Sequence, residues 1–153
     1  MDTIGFMELS SIGIGVEITD SMLKAAQVDL IFAKASCPGK FYIMINGFVS
    51  NVKNSIRAGE EIAKGFLISS AVISKVHPQV IQAVNMSYMP EKIEAIGVIE
   101  FYSVASSLTA ADIAVKSANV ELIDIRLGTG IGGKSFVVLT GDTSSVNNAV
   151  NAA

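Results

Sequence analysis

Read as alternating apolar and polar positions, the first half of the chain falls into short blocks. Residues 3–9 (TIGFMEL) and 28–34 (VDLIFAK) are rich in apolar and β-favouring side chains and predict strands. Between them, residues 19–27 (TDSMLKAAQ) predict a short helix with Thr19 or Asp20 near its start. Residues 40–46 (KFYIMIN) predict a third strand, closed by Gly47. Ser50 is expected to cap a longer helix, in which Val52, Ile56, Gly59, Ala63 and Phe66 recur at helical spacing and mark one buried face. Residues 69–75 (SSAVISK) complete a fourth strand, and His77–Val84 a short helix with Pro78 in its first turn. The resulting order, β-α-β-β-α-β with a small terminal helix, predicts a ferredoxin-like α/β (α+β) sandwich.

The pattern then repeats. Ile4-Gly5 and Glu8 recur as Ile96-Gly97 and Glu100, and at the same offset Ser11 falls on Ser103, Asp20 on Asp112, Lys24 on Lys116, Val28 on Val120 and Leu30 on Leu122. After a two-residue insertion Gly39-Lys40 falls on Gly133-Lys134, Gly47 on Gly141, Ser50 on Ser144, Val52 on Val146 and Asn54 on Asn148. This is a tandem duplication: a first domain at 1–84, a linker at 85–94 containing Pro90, and a second domain at 95–153. The second copy predicts strands at 95–102, 120–127 and 134–140, a helix at 109–119 with Thr109 and Asp112 as a capping box, and a helix from 144. Ala153 corresponds to Gly59, whereas the first copy runs on to Val84, so the second domain reads as C-terminally incomplete.

Composition adds a constraint on surfaces. Of 153 residues half are apolar and only 16% are charged, against about 25% in an ordinary soluble domain. A chain with so little polar material is expected to hide surface against partners of its own kind. A net charge of −3 gives no basic footprint for nucleic acid. Charged residues such as Glu8, Glu17, Lys24, Asp29 and Lys34 interrupt each apolar run before it reaches membrane-spanning length. The acidic start, Met-Asp-Thr-Ile-Gly, is unlike a secretory signal. One cysteine cannot make an internal disulfide, so a reducing cytosol is the expected compartment.

Few residues offer chemistry. Gly128–Ser135 (GTGIGGKS) satisfies the phosphate-loop pattern, but the apolar stretch that follows reads as a strand and not the helix such a loop needs, so a hairpin loop is expected. Cys37 lies in the matching loop of the first copy, where Ser36, Pro38 and Gly39 predict an exposed turn and nearby Lys40 would favour thiolate. One thiolate cannot hold a metal cluster, yet a symmetric oligomer brings several copies of a residue to one axis. His77 is the only histidine, which leaves no histidine-based metal site or triad within a subunit. Glu8 and Glu100 sit at equivalent strand ends and read as features of the fold. Lys24 and Lys116 are repeat-equivalent, on helix faces open to solvent or to a neighbouring subunit.

The segments Ile4-Gly-Phe-Met-Glu-Leu, Asp20-Ser-Met-Leu-Lys-Ala-Ala, Cys37-Pro-Gly-Lys-Phe and His77-Pro78, with their counterparts Ile96-Gly-Val-Ile-Glu and Gly130-Ile-Gly-Gly-Lys, resemble bacterial microcompartment shell domains in unpermuted order. The resemblance covers nearly the whole chain and is strongest to tandem-domain, iron–sulfur-binding shell proteins of propanediol-utilisation microcompartments. It implies a homotrimer imitating a hexamer of single domains, placed in the microcompartment shell in the cytoplasm beside other shell proteins and lumenal redox enzymes. It also implies no catalytic residue. Ser36, Cys37, Pro38, Gly39, Gly130, Ile131 and Gly132 would line a central pore, and Lys24 and Lys116 would meet neighbouring tiles. Cys37 from three chains would hold one four-iron–four-sulfur cluster per trimer, for electron transfer or cluster exchange across the shell. Two other expectations stay open: a metabolite-conducting pore without a cluster, and, more distantly, a small-molecule-binding regulatory trimer.

Overall fold

The computed structural model describes residues 3–153; Met1 and Asp2, which begin the acidic N-terminus, lie outside the described residues. The chain divides between Val76 and His77 into two compact units. The first contains β1 (Thr3–Leu9), α1 (Ile12–Ala25), β2 (Asp29–Ser36), β3 (Lys40–Gly47), α2 (Val49–Ala63), a 3-10 turn (Lys64–Phe66) and β4 (Leu67–Ile73). Its antiparallel sheet runs β2-β3-β1-β4. Period-two alternation puts Met7 and Leu9 of β1 and Phe41, Ile43 and Ile45 of β3 on one face. There they form the core with Ile18 and Met22 of α1 and Val52, Ile56 and Ala63 of α2. The helical face expected from Val52, Ile56, Gly59 and Ala63 is buried, while Phe66 lies in the 3-10 turn and is exposed.

The second unit contains α3 (Pro78–Val84), β5 (Ala95–Phe101), α4 (Val104–Ser117), β6 (Glu121–Arg126), β7 (Ser135–Gly141) and α5 (Thr143–Ala152). Its sheet is β5-β7-β6, without a counterpart of β4 among the described residues. The repeat extends to irregularities: the β2–β3 register shifts between Leu30 and Phe32, and the β6–β7 register between Leu122 and Asp124.

Three expectations are corrected. Both long first helices begin earlier than their polar residues suggested: Ser11 and Ser103 are the N-caps, accepting from the backbone N–H of Ile14 and Ser106. Thr109 is therefore mid-helix, where its hydroxyl donates to the Ala105 carbonyl, and it is not a cap. The helix α2 starts at Val49 after Phe48, with no side-chain cap, so Ser50 lies inside it. Finally, α3 belongs with the second unit and not the first. It packs on β6, the Gln79 side chain accepts from the Leu122 N–H at 3.0 Å, and Asp112 accepts from the His77 N–H at 2.8 Å. The only histidine thus has a structural place, its Nδ1 accepting from the Gln79 N–H at the start of α3.

The start of α5 supplies a pH test. Asp142 accepts from the hydroxyl and N–H of Ser145 and from Ser144, and these bonds hold its carboxyl down from 3.8 to about 2. The folded value is the depressed one, so the cap's contribution is present above the unfolded value and is lost as pH falls through about 2. Asp142→Ala should therefore lower Tm at pH 7, and the gap to the parent should close in thermal melts taken progressively toward pH 2.

Candidate functional site

The β2–β3 ladder closes at the pair Ser36 and Lys40, leaving Cys37, Pro38 and Gly39 as a three-residue hairpin loop. Gly39 has φ +74°, the left-handed conformation that such a loop requires and that residues with a Cβ rarely adopt. The Cys37–Pro38 peptide is cis. Cys37, Pro38 and Gly39 are exposed, with the thiol free, whereas Ser36 is buried at the hairpin's base.

Beneath the loop lies a charged group that sequence reasoning missed. The Lys40 ammonium bonds the Glu8 carboxylate at 2.6 Å. The Glu8 side chain is 0% exposed and that of Lys40 16%, and Ser69 of β4 donates to the other Glu8 oxygen at 2.9 Å. One carboxylate thereby ties β1, β3 and β4 together at the foot of the Cys37 hairpin. A buried carboxylate is tolerated only when paired and hydrogen-bonded in this way. Tyr42, opposite Glu8 in the ladder, is buried as well. Burial pushes its hydroxyl above 10.0; the Ser36 side chain opposes the rise, Glu8 adds to it, Lys40 opposes it and Cys37 adds to it. A signal for this group was present, because Glu8 and Lys40 recur together as Glu100 and Lys134.

In the second unit the equivalent loop lies between Arg126 and Ser135 and is a glycine-built turn, with positive φ at Gly128, Gly130, Gly132 and Gly133. Gly130, Ile131 and Gly132 are at its exposed tip. The phosphate-loop pattern here leads into β7 and no helix, so it is a hairpin, as expected. Ser135 is buried, its hydroxyl donating to the Arg126 carbonyl at 2.7 Å across the base. The Glu100–Lys134 pair is 3.6 Å apart with side chains 68% and 48% exposed. The two copies therefore carry the same charges on opposite sides of burial.

Lys24 and Lys116 close the last turns of α1 and α4, where cations suit the helix dipole, and pair one turn back with Asp20 and Asp112. Lys24 stands well out in solvent; Lys116 is held closer by an Asp112 that also receives the His77 N–H. Large apolar side chains remain exposed in both units, among them Ile12, Val16 and Phe48 in the first and Ile96, Val98 and Tyr102 in the second. Among the described residues, no three His, Cys, Asp or Glu side chains gather where they could hold a metal ion, and no helix is long and apolar enough to cross a membrane.

Comparison with known proteins agrees with this arrangement. The BMC domain is matched twice, at residues 3–76 and 95–153. The chain is 43% identical over 98% of its length to the bacterial microcompartment shell protein PduT of Citrobacter freundii, covering 82% of that protein. A crystal structure of a microcompartment protein from Desulfitobacterium hafniense superposes with a TM-score of 0.90 at 47% identity, over 99% of this chain and 84% of that one. A fused, permuted hexameric shell protein of the RMM microcompartment, MSM0275, shares the fold, with a TM-score of 0.73 at 22% identity over 98% of this chain and 81% of that one. Two BMC domains in tandem, matched along almost their whole length by shell proteins, place the chain in the BMC-domain family as a structural microcompartment shell protein, not an enzyme.

Proposed function

We propose that this shell protein works as a homotrimeric tile in the shell of a cytoplasmic microcompartment, its three Cys37 hairpins meeting at the three-fold axis to hold one four-iron–four-sulfur cluster. The observation that carries this reading is the setting of Cys37: an exposed thiol at the tip of a three-residue hairpin whose base is anchored to three strands. A thiolate so placed suits iron–sulfur ligation; among the described residues no three His, Cys, Asp or Glu side chains gather to hold a metal ion, so in this reading the remaining donors come from other copies. Three chains supply three thiolates and leave one iron without a protein thiolate. The second-unit loop, Gly130–Gly132, has no cysteine and adds none. When bound, such a cluster supplies one-electron transfer. The hairpin's work is to fix the sulfur at the axis, and that of the exposed loops of both repeats is to line the opening.

Exposed apolar side chains in both units support burial between copies, and Lys24 and Lys116 at helix ends support contact between tiles. Analytical ultracentrifugation should give three times the 16.0 kDa chain mass, and electron microscopy should show flat sheets. Lys24→Glu with Lys116→Glu should abolish sheets while leaving the trimer, since both side chains reach solvent. A monomer, or sheets unaffected by the double reversal, would count against the tile. A trimer that never assembles but binds a small molecule would point to the regulatory reading.

A further inference from the structure

The two repeats bury opposite faces. On the outer face of the first sheet, Ile4 and Phe6 of β1 and Tyr42 and Met44 of β3 are all buried within a single chain. The equivalent positions of the second sheet are open: Ile96 and Val98 of β5 are 57% and 55% exposed, beside half-buried Phe136 and Val138 of β7. The helices show the reverse. Ile12 and Val16 lie on one exposed stripe of α1, and Val16 borders a groove lined by Thr19, Asp20, Leu23, Ala33 and Phe41. Their counterparts in α4, Val104 and Leu108, are fully buried. One sheet face in the second unit and one helix face in the first are thus left open, and each repeats a face that the same chain buries.

We propose that these two open faces meet between copies: the β5–β7 face of one chain seats on the α1 groove of the next, head to tail. The proposal deepens the tile reading given above by naming the faces through which its copies join. The occupant is a second copy because the residue types on each open face match those on its buried counterpart. Ile96 repeats Ile4, Val98 and Phe136 keep the apolar and aromatic character of Phe6 and Tyr42, and Ile12 and Val16 stand where Val104 and Leu108 stand in α4. Surroundings that suit the buried faces therefore suit the open ones, and an identical chain offers them. Closing the contact removes contiguous apolar side chains from water. The contact joins two different surfaces, so each chain can hold two neighbours, and heterologous contacts of this kind close into rings when the rotation between copies allows it. The closed ring is the tile.

The test is analytical ultracentrifugation of the full chain and two variants, each with a thermal melt. Ile96→Lys with Val98→Lys puts two ammoniums on the sheet face, and Ile12→Lys with Val16→Lys puts two on the helix face. All four side chains are exposed, so both variants should still melt cooperatively. Each alone should sediment at 16.0 kDa, a third of the parent's mass, because unpaired ammoniums resist burial. Mixed in equal amounts they should form a dimer and nothing larger, since each keeps the face the other has lost and only one contact can form. Should a lysine variant fail to fold, serine at the same two positions takes its place, with the same masses expected. A variant that keeps the parent's mass, a helix-face variant that dimerises alone through two sheet faces, or a mixture that stays monomeric overturns the head-to-tail contact while the tile stands. A parent chain that sediments as a monomer overturns the tile reading and this inference with it, so the parent's own mass distinguishes the two failures.

Discussion

Gly15→Val is expected to destabilise the first unit by about 3 kcal/mol, the upper end of what overpacking a well-filled core costs. Gly15 lies in α1 directly over Phe41, the core residue that follows Lys40 at the foot of the Cys37 hairpin. A Cβ at position 15 would overlap the Phe41 ring and lie 2.8 Å from its Cβ, so the obstacle includes a rigid part of the side chain close to the backbone. Relief requires α1 to move away from β3, opening the contact with Ile18 and Met22. At roughly 4–8 °C per kcal/mol for a unit of this size, the fall in Tm should be obvious by calorimetry. Two comparisons make the result specific. Gly13→Ala, one helical position pair away with nothing within 4 Å of its Cβ, should be neutral or slightly stabilising, because alanine suits a helix better than glycine. Gly15→Ala combined with Phe41→Ala should cost less than the sum of the two alone, since the pair share one contact.

Cys37→Ser is expected to remove all cluster iron and leave the rest of the molecule in place. The side chain is exposed and the hairpin is held by Gly39, by the Ser36–Lys40 pairing and by Glu8, none of which needs the sulfur. Thermal melts, trimer mass and sheet formation should therefore match the parent, while the visible absorption and EPR signals vanish. A serine hydroxyl keeps the size of the group and lacks the thiolate that iron–sulfur ligation requires. Iron retained in this variant would assign the metal to other residues.

Much of this is legible in the amino-acid sequence itself. The duplication showed the succession of strands and helices along the chain, though not which unit α3 joins, and the run Ser-Cys-Pro-Gly announced an exposed turn that the structure places between β2 and β3. The first turns of α1 and α4 were harder to read. Ile12-Gly-Ile-Gly-Val carries two glycines and β-branched residues, which argue locally against a helix. Tertiary packing decides otherwise, with Gly15 kept small for Phe41. The repeat of Ser11 at Ser103 did hold the answer, since both turned out to be N-caps. The allegiance of α3 was hidden for another reason. Its neighbours in sequence are β4 and the linker, whereas its partners, Asp112 and Leu122, lie more than thirty residues away. The Glu8–Lys40 pair likewise spans the whole of α1 and β2, and no periodicity tells a buried carboxylate from a solvated one. Only the structure shows that the same two residues are enclosed in one copy and exposed in the other.

The most direct test of the account is the iron and acid-labile sulfide content of anaerobically purified protein, measured on fractions whose mass is that of a trimer. Roughly four irons and four sulfides per three chains are expected, the content of one cubane cluster held at a shared axis. An intact trimer that remains free of iron after anaerobic reconstitution would contradict it, and would leave the chain a shell tile whose central loops line a pore and carry no electrons.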